Sequence, residues 1–141
     1  MTDSIKLNYT VPGDDFTRAG EASGATKGKL KQLGFPPDAI RRVAIAMYEA
    51  EINMVIHANG GTIDIEITPE EIHIVFADTG PGIPDINKAM QEGYSTASNE
   101  VRELGFGAGM GLPNIKKNSD EMNINTEIGV GTTIDLIIRI S

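Results

Sequence analysis

Apolar and polar residues alternate at Ile5, Leu7, Tyr9 and Val11, the two-residue period of a half-buried strand, and Pro12-Gly13 stops the run. The same period returns over Thr62–Thr68 and Glu71–Ala77, joined by a short Pro69-Glu70 turn, and predicts a β-hairpin. It returns again in two closing strands, about Glu121–Glu127 and Thr132–Ile140, linked by Gly129-Val130-Gly131. Between the first strand and the hairpin the period lengthens. Asp14-Asp15 offers a cap for a helix from about Phe16 to Leu33. That helix carries Gly20, Gly24 and Gly28, each costing about 1 kcal/mol relative to alanine in a helix interior. Two readings fit: a weak or broken helix, or a small-residue stripe that admits a close neighbour. Gly34-Phe35-Pro36-Pro37-Asp38 ends one helix and starts another. From Ile40 to Ala58 the chain is apolar nearly all round, which predicts a buried helix ended by Gly60-Gly61. Residues 83–104 keep no steady period; a short helix over Asp85–Glu92 and a polar loop over Tyr94–Arg102 are expected there. A further helix starts near Gly111, with Pro113 tolerated in its first turn.

At 141 residues the chain is expected to form one domain, 1–141, large enough for a real core. Twelve basic against 20 acidic residues give a net charge of −8. That balance argues against bulk electrostatic attraction to nucleic acid or an anionic membrane. There is no cysteine, hence no disulfide, thiolate metal site or cysteine nucleophile. With neither a basic-then-apolar leader nor a bilayer-length apolar run, a cytoplasmic location is the simplest expectation.

Three glycine turns change the picture: Asp78-Thr79-Gly80-Pro81-Gly82, Gly105-Phe106-Gly107-Ala108-Gly109-Met110-Gly111-Leu112, and Gly129-Val130-Gly131-Thr132. Seven of the 16 glycines fall between Gly80 and Gly111. Such a run is costly to order, and the obvious gain is a row of backbone N–H groups that can wrap a phosphate chain. It is not a Walker loop, because no Gly-Lys-Ser/Thr follows, and it lacks the strand–turn–helix setting of a dinucleotide fold. In the buried helix Glu49, Asn53 and His57 stand at i, i+4 and i+8 and share one stripe. They either hydrogen-bond within the protein or serve a ligand. In the second case Asn53 is a hard oxygen ligand for Mg²⁺ and Glu49 a base for a hydroxyl or water. His57 reads more readily as a packing or hydrogen-bonding residue, and Glu51 points to the other side of the helix. Asp78 either caps its turn or accepts a hydrogen bond from an exocyclic amine, with Gly80 and Gly82 letting a flat base approach.

In order along the chain stand Glu-x-x-x-Asn on a helix, Asp-x-Gly-x-Gly after a hairpin, the multi-glycine turn before a helix, and Gly-x-Gly-Thr between two closing strands. This resembles the ATP-binding domain shared by gyrase-type topoisomerases, histidine kinases and mismatch-repair ATPases, the GHKL superfamily, with the four boxes running from Glu49 to Thr132. The Glu-Ala-Glu-Ile-Asn…His helix, Gln91-Glu92-Gly93-Tyr94-Ser95-Thr96 and Gly111-Leu112-Pro113-Asn114-Ile115-Lys116-Lys117 are most similar to bacterial anti-sigma factors and switch protein serine kinases. One position departs: Asn59 stands where an aromatic is common.

The resemblance implies a two-layer α/β sandwich, with helices on one face of a mixed, mostly antiparallel sheet. It implies ATP or ADP with Mg²⁺. Glu49 would be the general base and Asn53 the Mg²⁺ ligand. Asp78 would read the adenine amine beside Gly80 and Gly82, with Thr132 supporting the adenine side. Gly105, Gly107, Gly109, Met110, Gly111 and Leu112 would form the phosphate turn, and residues 83–104 the ATP lid. The expected function is a protein serine/threonine kinase acting on a small STAS-like antagonist in a partner-switching circuit. The alternative is a nucleotide-dependent module that grips a sigma factor or other regulator with little catalysis. A homodimer is compatible with either; direct contact with nucleic acid or membrane is not expected.

Overall fold

The computed structural model describes residues 4–12, 20–57, 60–79 and 111–140. Five strands carry the alternating segments: β1 (Ile5–Pro12), β2 (Gly60–Ile67), β3 (Glu71–Asp78), β4 (Glu121–Glu127) and β5 (Gly131–Arg139). They form one sheet in the order β1-β2-β3-β5-β4, and every neighbouring pair is antiparallel. The sheet expected as mixed therefore has only antiparallel ladders among the described residues. The strand boundaries lie within two residues of those expected.

The period-two pattern sets one face of the sheet inward. Ile63, Ile65 and Ile67, then Ile72, Ile74 and Phe76, then Ile134, Leu136 and Ile138 are buried. Residues between them are exposed or half-buried. The edge strands contribute partly buried residues, Ile5, Leu7 and Tyr9 on one side and Met122 and Ile124 on the other.

Against the buried face lie α1 (Glu21–Gln32), α2 (Pro37–His57) and α3 (Gly111–Lys117). Helix α2 packs against α1, α3 and strands β1, β2 and β5 at once. That crowding explains its apolar character on nearly every side: Val43, Ala46, Met47, Ala50, Met54 and Val55 are all buried. Arg42 ties its first half to the far end of the sheet, donating to Asp120 at 3.1 Å and to the Arg139 carbonyl.

Helix α1 departs from the expectation of one continuous helix from Phe16. Gly20 has φ 97°, a left-handed conformation outside any α-helix, so α1 begins at Glu21. Asp14 and Asp15, expected to cap it, lie outside the described residues. A Cβ at Gly24 or Gly28 would meet nothing within 4 Å, so these glycines form no close-packing stripe and α1 is intrinsically weak. Its contact with α2 is made instead by Ala22, Ser23, Thr26 and Leu30.

Candidate nucleotide site

The sequence candidates gather where α2, α3 and one end of the sheet meet. Asp78 closes β3 and pairs in register with Gly61 of β2. A Cβ on Gly61 would lie 2.2 Å from the Ala77 carbonyl oxygen and 2.8 Å from Met54 Cε. Only a glycine admits this approach, and it brings the last turns of α2 onto the strand end that carries Asp78. Across the sheet, a Cβ on Gly131, whose φ is 151°, would lie 2.1 Å from the Asp78 carbonyl oxygen. The Thr132 N–H donates to Asp78 Oδ1 at 3.1 Å, and Thr132 Oγ1 is 2.9 Å from Thr126 Oγ1. Asp78 and Thr132, 54 residues apart in sequence, thus form one unit.

Glu49 and Asn53 lie one turn apart on α2, and both are half-buried. Burial pushes the Glu49 carboxyl above the ordinary range, and a side-chain hydrogen bond with Asn114 of α3 works in the opposite direction. Helix α3 is itself fixed. Leu112 and Ile115 are buried in the core, Asn118 donates to the Asn114 carbonyl at 2.8 Å, and Ser119 Oγ donates to the Ile115 carbonyl at 3.0 Å. Gly111, the last glycine of the multi-glycine turn, is the first residue of α3, which packs on α2.

Glu51 takes a different environment two residues on. It is 2 % exposed, and its carboxylate accepts from the backbone N–H groups of Gly20, Ala22 and Ser23 at 3.0, 3.1 and 3.1 Å. Gly20, the N-cap of α1, supplies no side-chain cap of its own. Glu51 therefore satisfies the orphan N–H groups at that helix start and favours the positive end of its dipole. Ser23 Oγ adds a bond to the Ala44 carbonyl at 3.0 Å.

The structure therefore joins Asp78 to Thr132, sets α3 against the helix that carries Glu49 and Asn53, and brings Met54 of that helix to Gly61, the register partner of Asp78. Gly80, Gly82, Gly105, Gly107, Gly109, Met110 and the lid at 83–104 lie outside the described residues, as does the side chain of His57. Sequence reasoning passed over Asn114, noted only as part of the Gly111–Lys117 segment, and over Gly61, read as a helix stop. Neither carries a local pattern; both roles arise from contacts between distant segments. Glu51 did carry a signal: a charged residue inside a helix apolar nearly all round needs a partner.

No group of three or more His, Asp or Glu residues suited to a metal occurs among the described residues. Asn53 alone suits a Mg²⁺ that takes its remaining ligands from phosphate and water. No helix among the described residues is long and apolar enough to cross a membrane.

The family model for the histidine kinase-like ATPase domain matches residues 15–138. The chain belongs to the histidine kinase-like ATPase family. Among relatives of this chain, the serine/threonine-protein kinase RsbT of Bacillus subtilis is 37% identical over 111 residues, covering 76% of this chain and 77% of RsbT. The anti-sigma F factor of Geobacillus stearothermophilus is 30% identical over 113 residues, 76% of this chain and 74% of that factor. Its fold is shared with the Pseudomonas aeruginosa SiaB-SiaC complex structure, at TM-score 0.63 and 14% identity, over 94% of this chain and 88% of the matched one. It is also shared with the structure of the RsbU and RsbW domains of a Mycobacterium tuberculosis protein, at TM-score 0.61 and 15% identity, over 98% of this chain and 32% of that one. This ATPase domain is thus of the switch-kinase and anti-sigma-factor type.

Proposed function

We propose that this chain is an ATP-dependent protein serine/threonine kinase that phosphorylates a small antagonist protein in a partner-switching circuit. The observation that carries the reading is the half-buried Glu49, its carboxyl raised by burial, one helical turn from Asn53 on a helix that packs against α3. A raised carboxyl suits a general base, because its basicity moves toward that of the working solution. The acceptor hydroxyl oxygen attacks the γ-phosphorus and gives its proton to Glu49. The bond from that phosphorus to the β–γ bridging oxygen breaks, and ADP leaves with the electron pair. Asn53 would hold Mg²⁺, which when bound offsets the phosphate charge. The backbone of Gly105, Gly107, Gly109, Met110, Gly111 and Leu112 would line the phosphates, with residues 83–104 folding over as a lid.

Asp78 accepts from the adenine amine, with Gly80 and Gly82 beneath the base and Thr132 holding the carboxylate. A guanine presents a carbonyl at that position, which an ionised acceptor repels. ATP and ADP therefore bind and GTP does not, and Asp78→Asn weakens ATP binding sharply because the charged acceptor is gone. Equal affinity for ATP and GTP by calorimetry overturns this assignment. The kinase itself is tested by incubating the protein with γ-labelled ATP and a lysate of its source, then identifying the labelled protein and the labelled residue.

The similarity to a named anti-sigma F factor favours a second use of the same site. There the nucleotide state sets the grip on a sigma factor or other regulator. Tight binding of a regulator without any phosphotransfer selects that reading.

A further inference from the structure

Strand β5 brings to Asp78 the backbone N–H of Thr132, and it does so directly after the β4–β5 turn. Ile128 and Val130 stand in that turn 64% and 58% exposed, so their side chains do not anchor it in the core. Just below the turn the two strands are joined by a side-chain pair instead. Thr126 of β4 and Thr132 of β5 are register partners. Their Oγ1 atoms lie 2.9 Å apart, a hydrogen bond whichever of the two donates. Thr126 Oγ1 also donates to the Gly131 carbonyl oxygen at 3.5 Å, a long bond. Thr126 therefore touches both Gly131, whose backbone crowds the Asp78 carbonyl, and Thr132, whose N–H donates to Asp78 Oδ1 at 3.1 Å. Thr132 is buried, and Thr126 is half-buried on the face of β4 that also carries Met122 and Ile124. Away from bulk water a hydroxyl pair holds its partners more firmly than at an open surface. Thr126, Thr132 and Asp78 thus make a hydrogen-bonded chain across three strands, β4, β5 and β3.

We propose that Thr126 is a positioning residue for adenine: its hydroxyl holds the Thr132 side chain, and through Thr132 it keeps the Asp78 carboxylate aimed at the base. This rests on Asp78 and Thr132 serving the adenine side, as in the proposed function. Thr126 acts through Thr132 and not on the base itself. Without its hydroxyl, the Thr132 side chain loses a partner and the start of β5 loosens around the N–H that Asp78 leans on. The carboxylate then meets the adenine amine in a spread of orientations, and affinity for the base falls. ATP and ADP share that base, so both weaken by the same factor. A disturbance of the phosphate end would separate them, and a role confined to strand packing would not need the hydroxyl.

The test is a double-mutant cycle on Thr126→Val and Thr132→Val, read by calorimetry of ATP and ADP binding, with thermal melts to check the fold. Valine keeps the branched shape and the strand preference of threonine and lacks only the hydroxyl. Thr126→Val weakens ATP and ADP alike, by roughly threefold to tenfold, the net worth of about one hydrogen bond. Thr126→Ser, which keeps the hydroxyl, restores most of that loss. In the Thr132→Val background, where the N–H to Asp78 remains but the hydroxyl pair is already broken, Thr126→Val has no further effect. Parental affinity in Thr126→Val, a serine variant as impaired as the valine one, equal damage in both backgrounds, or different factors for ATP and ADP each overturns the proposal. If Thr132→Val and Asp78→Asn both bind ATP as the parent does, the adenine assignment itself falls first. A weakened Thr132→Val beside a parental Thr126→Val sinks only the role of Thr126. Should Thr126→Val fail to fold, Thr126→Ala takes its place in the same cycle.

Discussion

Glu49 and Glu51 stand two residues apart on one helix, and their surroundings have almost nothing in common. Positions i and i+2 face opposite sides of an α-helix, so Glu49 turns toward α3 and Glu51 toward α1. Glu51 is enclosed and accepts three backbone N–H bonds, so its charge is spent on holding a weak helix in place. Glu49 is half-buried, and burial raises its carboxyl against the opposing effect of the Asn114 side chain. A carboxylate held by three backbone donors acts as a clasp between two helices, whereas Glu49 is a proton acceptor for a ligand only under the proposed kinase reading.

The contrast is sharpest in a pair of isosteric changes. Glu49→Gln removes the base and most of the phosphotransfer, a drop of roughly 10²–10⁴-fold, while the fold and MgATP affinity stay near those of the parent. Phosphotransfer assays with thermal melts check it. A parental rate in Glu49→Gln would erase the functional half of the comparison.

Truncating the clasp has its largest effect on stability. Glu51→Ala leaves the N–H groups of Gly20, Ala22 and Ser23 without their acceptor, and urea unfolding should register a loss of roughly 2–4 kcal/mol. Glu51→Gln keeps one good acceptor oxygen and loses less. Hydrogen exchange should rise first in α1. A stability within experimental error of the parent would mean that α1 is held by Ala22, Thr26 and Leu30 alone.

Acid and base dependence separates the two faces further. The folded Glu49 binds its proton more tightly than the unfolded chain does, since burial raises its carboxyl. Its contribution to stability therefore falls as pH rises from the ordinary carboxylate range through the raised value, and the penalty stands in full above it. Glu49→Gln should remove that decline, so the variant gains on the parent as pH rises through this window. Urea titrations at stepped pH read it; parallel curves for the two proteins would deny that burial controls Glu49.

The smallest effect is expected at the opposite end of α2. The Arg139 backbone N–H holds the Asp120 carboxyl below its usual value against the opposing cost of burial, and the Arg42 side chain adds to the lowering. The sign is now reversed: this stabilisation is present above the ordinary carboxylate pKa and is lost as pH falls through the lowered one. Asp120 is 35% exposed, so water screens its ion pair with Arg42. Asp120→Asn should soften the acid limb of the stability curve only slightly. A loss as large as that of Glu51→Ala would mean that exposure is a poor guide to these carboxylates.

The alternation of apolar residues determined all five strands, because a half-buried strand must repeat every two residues. The all-round apolar run determined α2, and helix spacing put Glu49 and Asn53 on one stripe with Glu51 opposite. The glycine boxes were legible as motifs, since glycine permits backbone shapes and contacts that other residues resist. What only the tertiary structure decided are the unions of distant segments. Thr132 meets Asp78 because β5 lies beside β3 in the sheet, and Gly61 must be glycine because Ala77 and Met54 close over it. Asn114 meets Glu49 because α3 returns onto α2, and α1 takes its cap from Glu51, which stands 31 residues beyond Gly20. Periodicity reports which way a side chain faces relative to its own element. It is silent on which element comes to stand there, and that is settled by how the buried faces of the helices and the sheet fill one core.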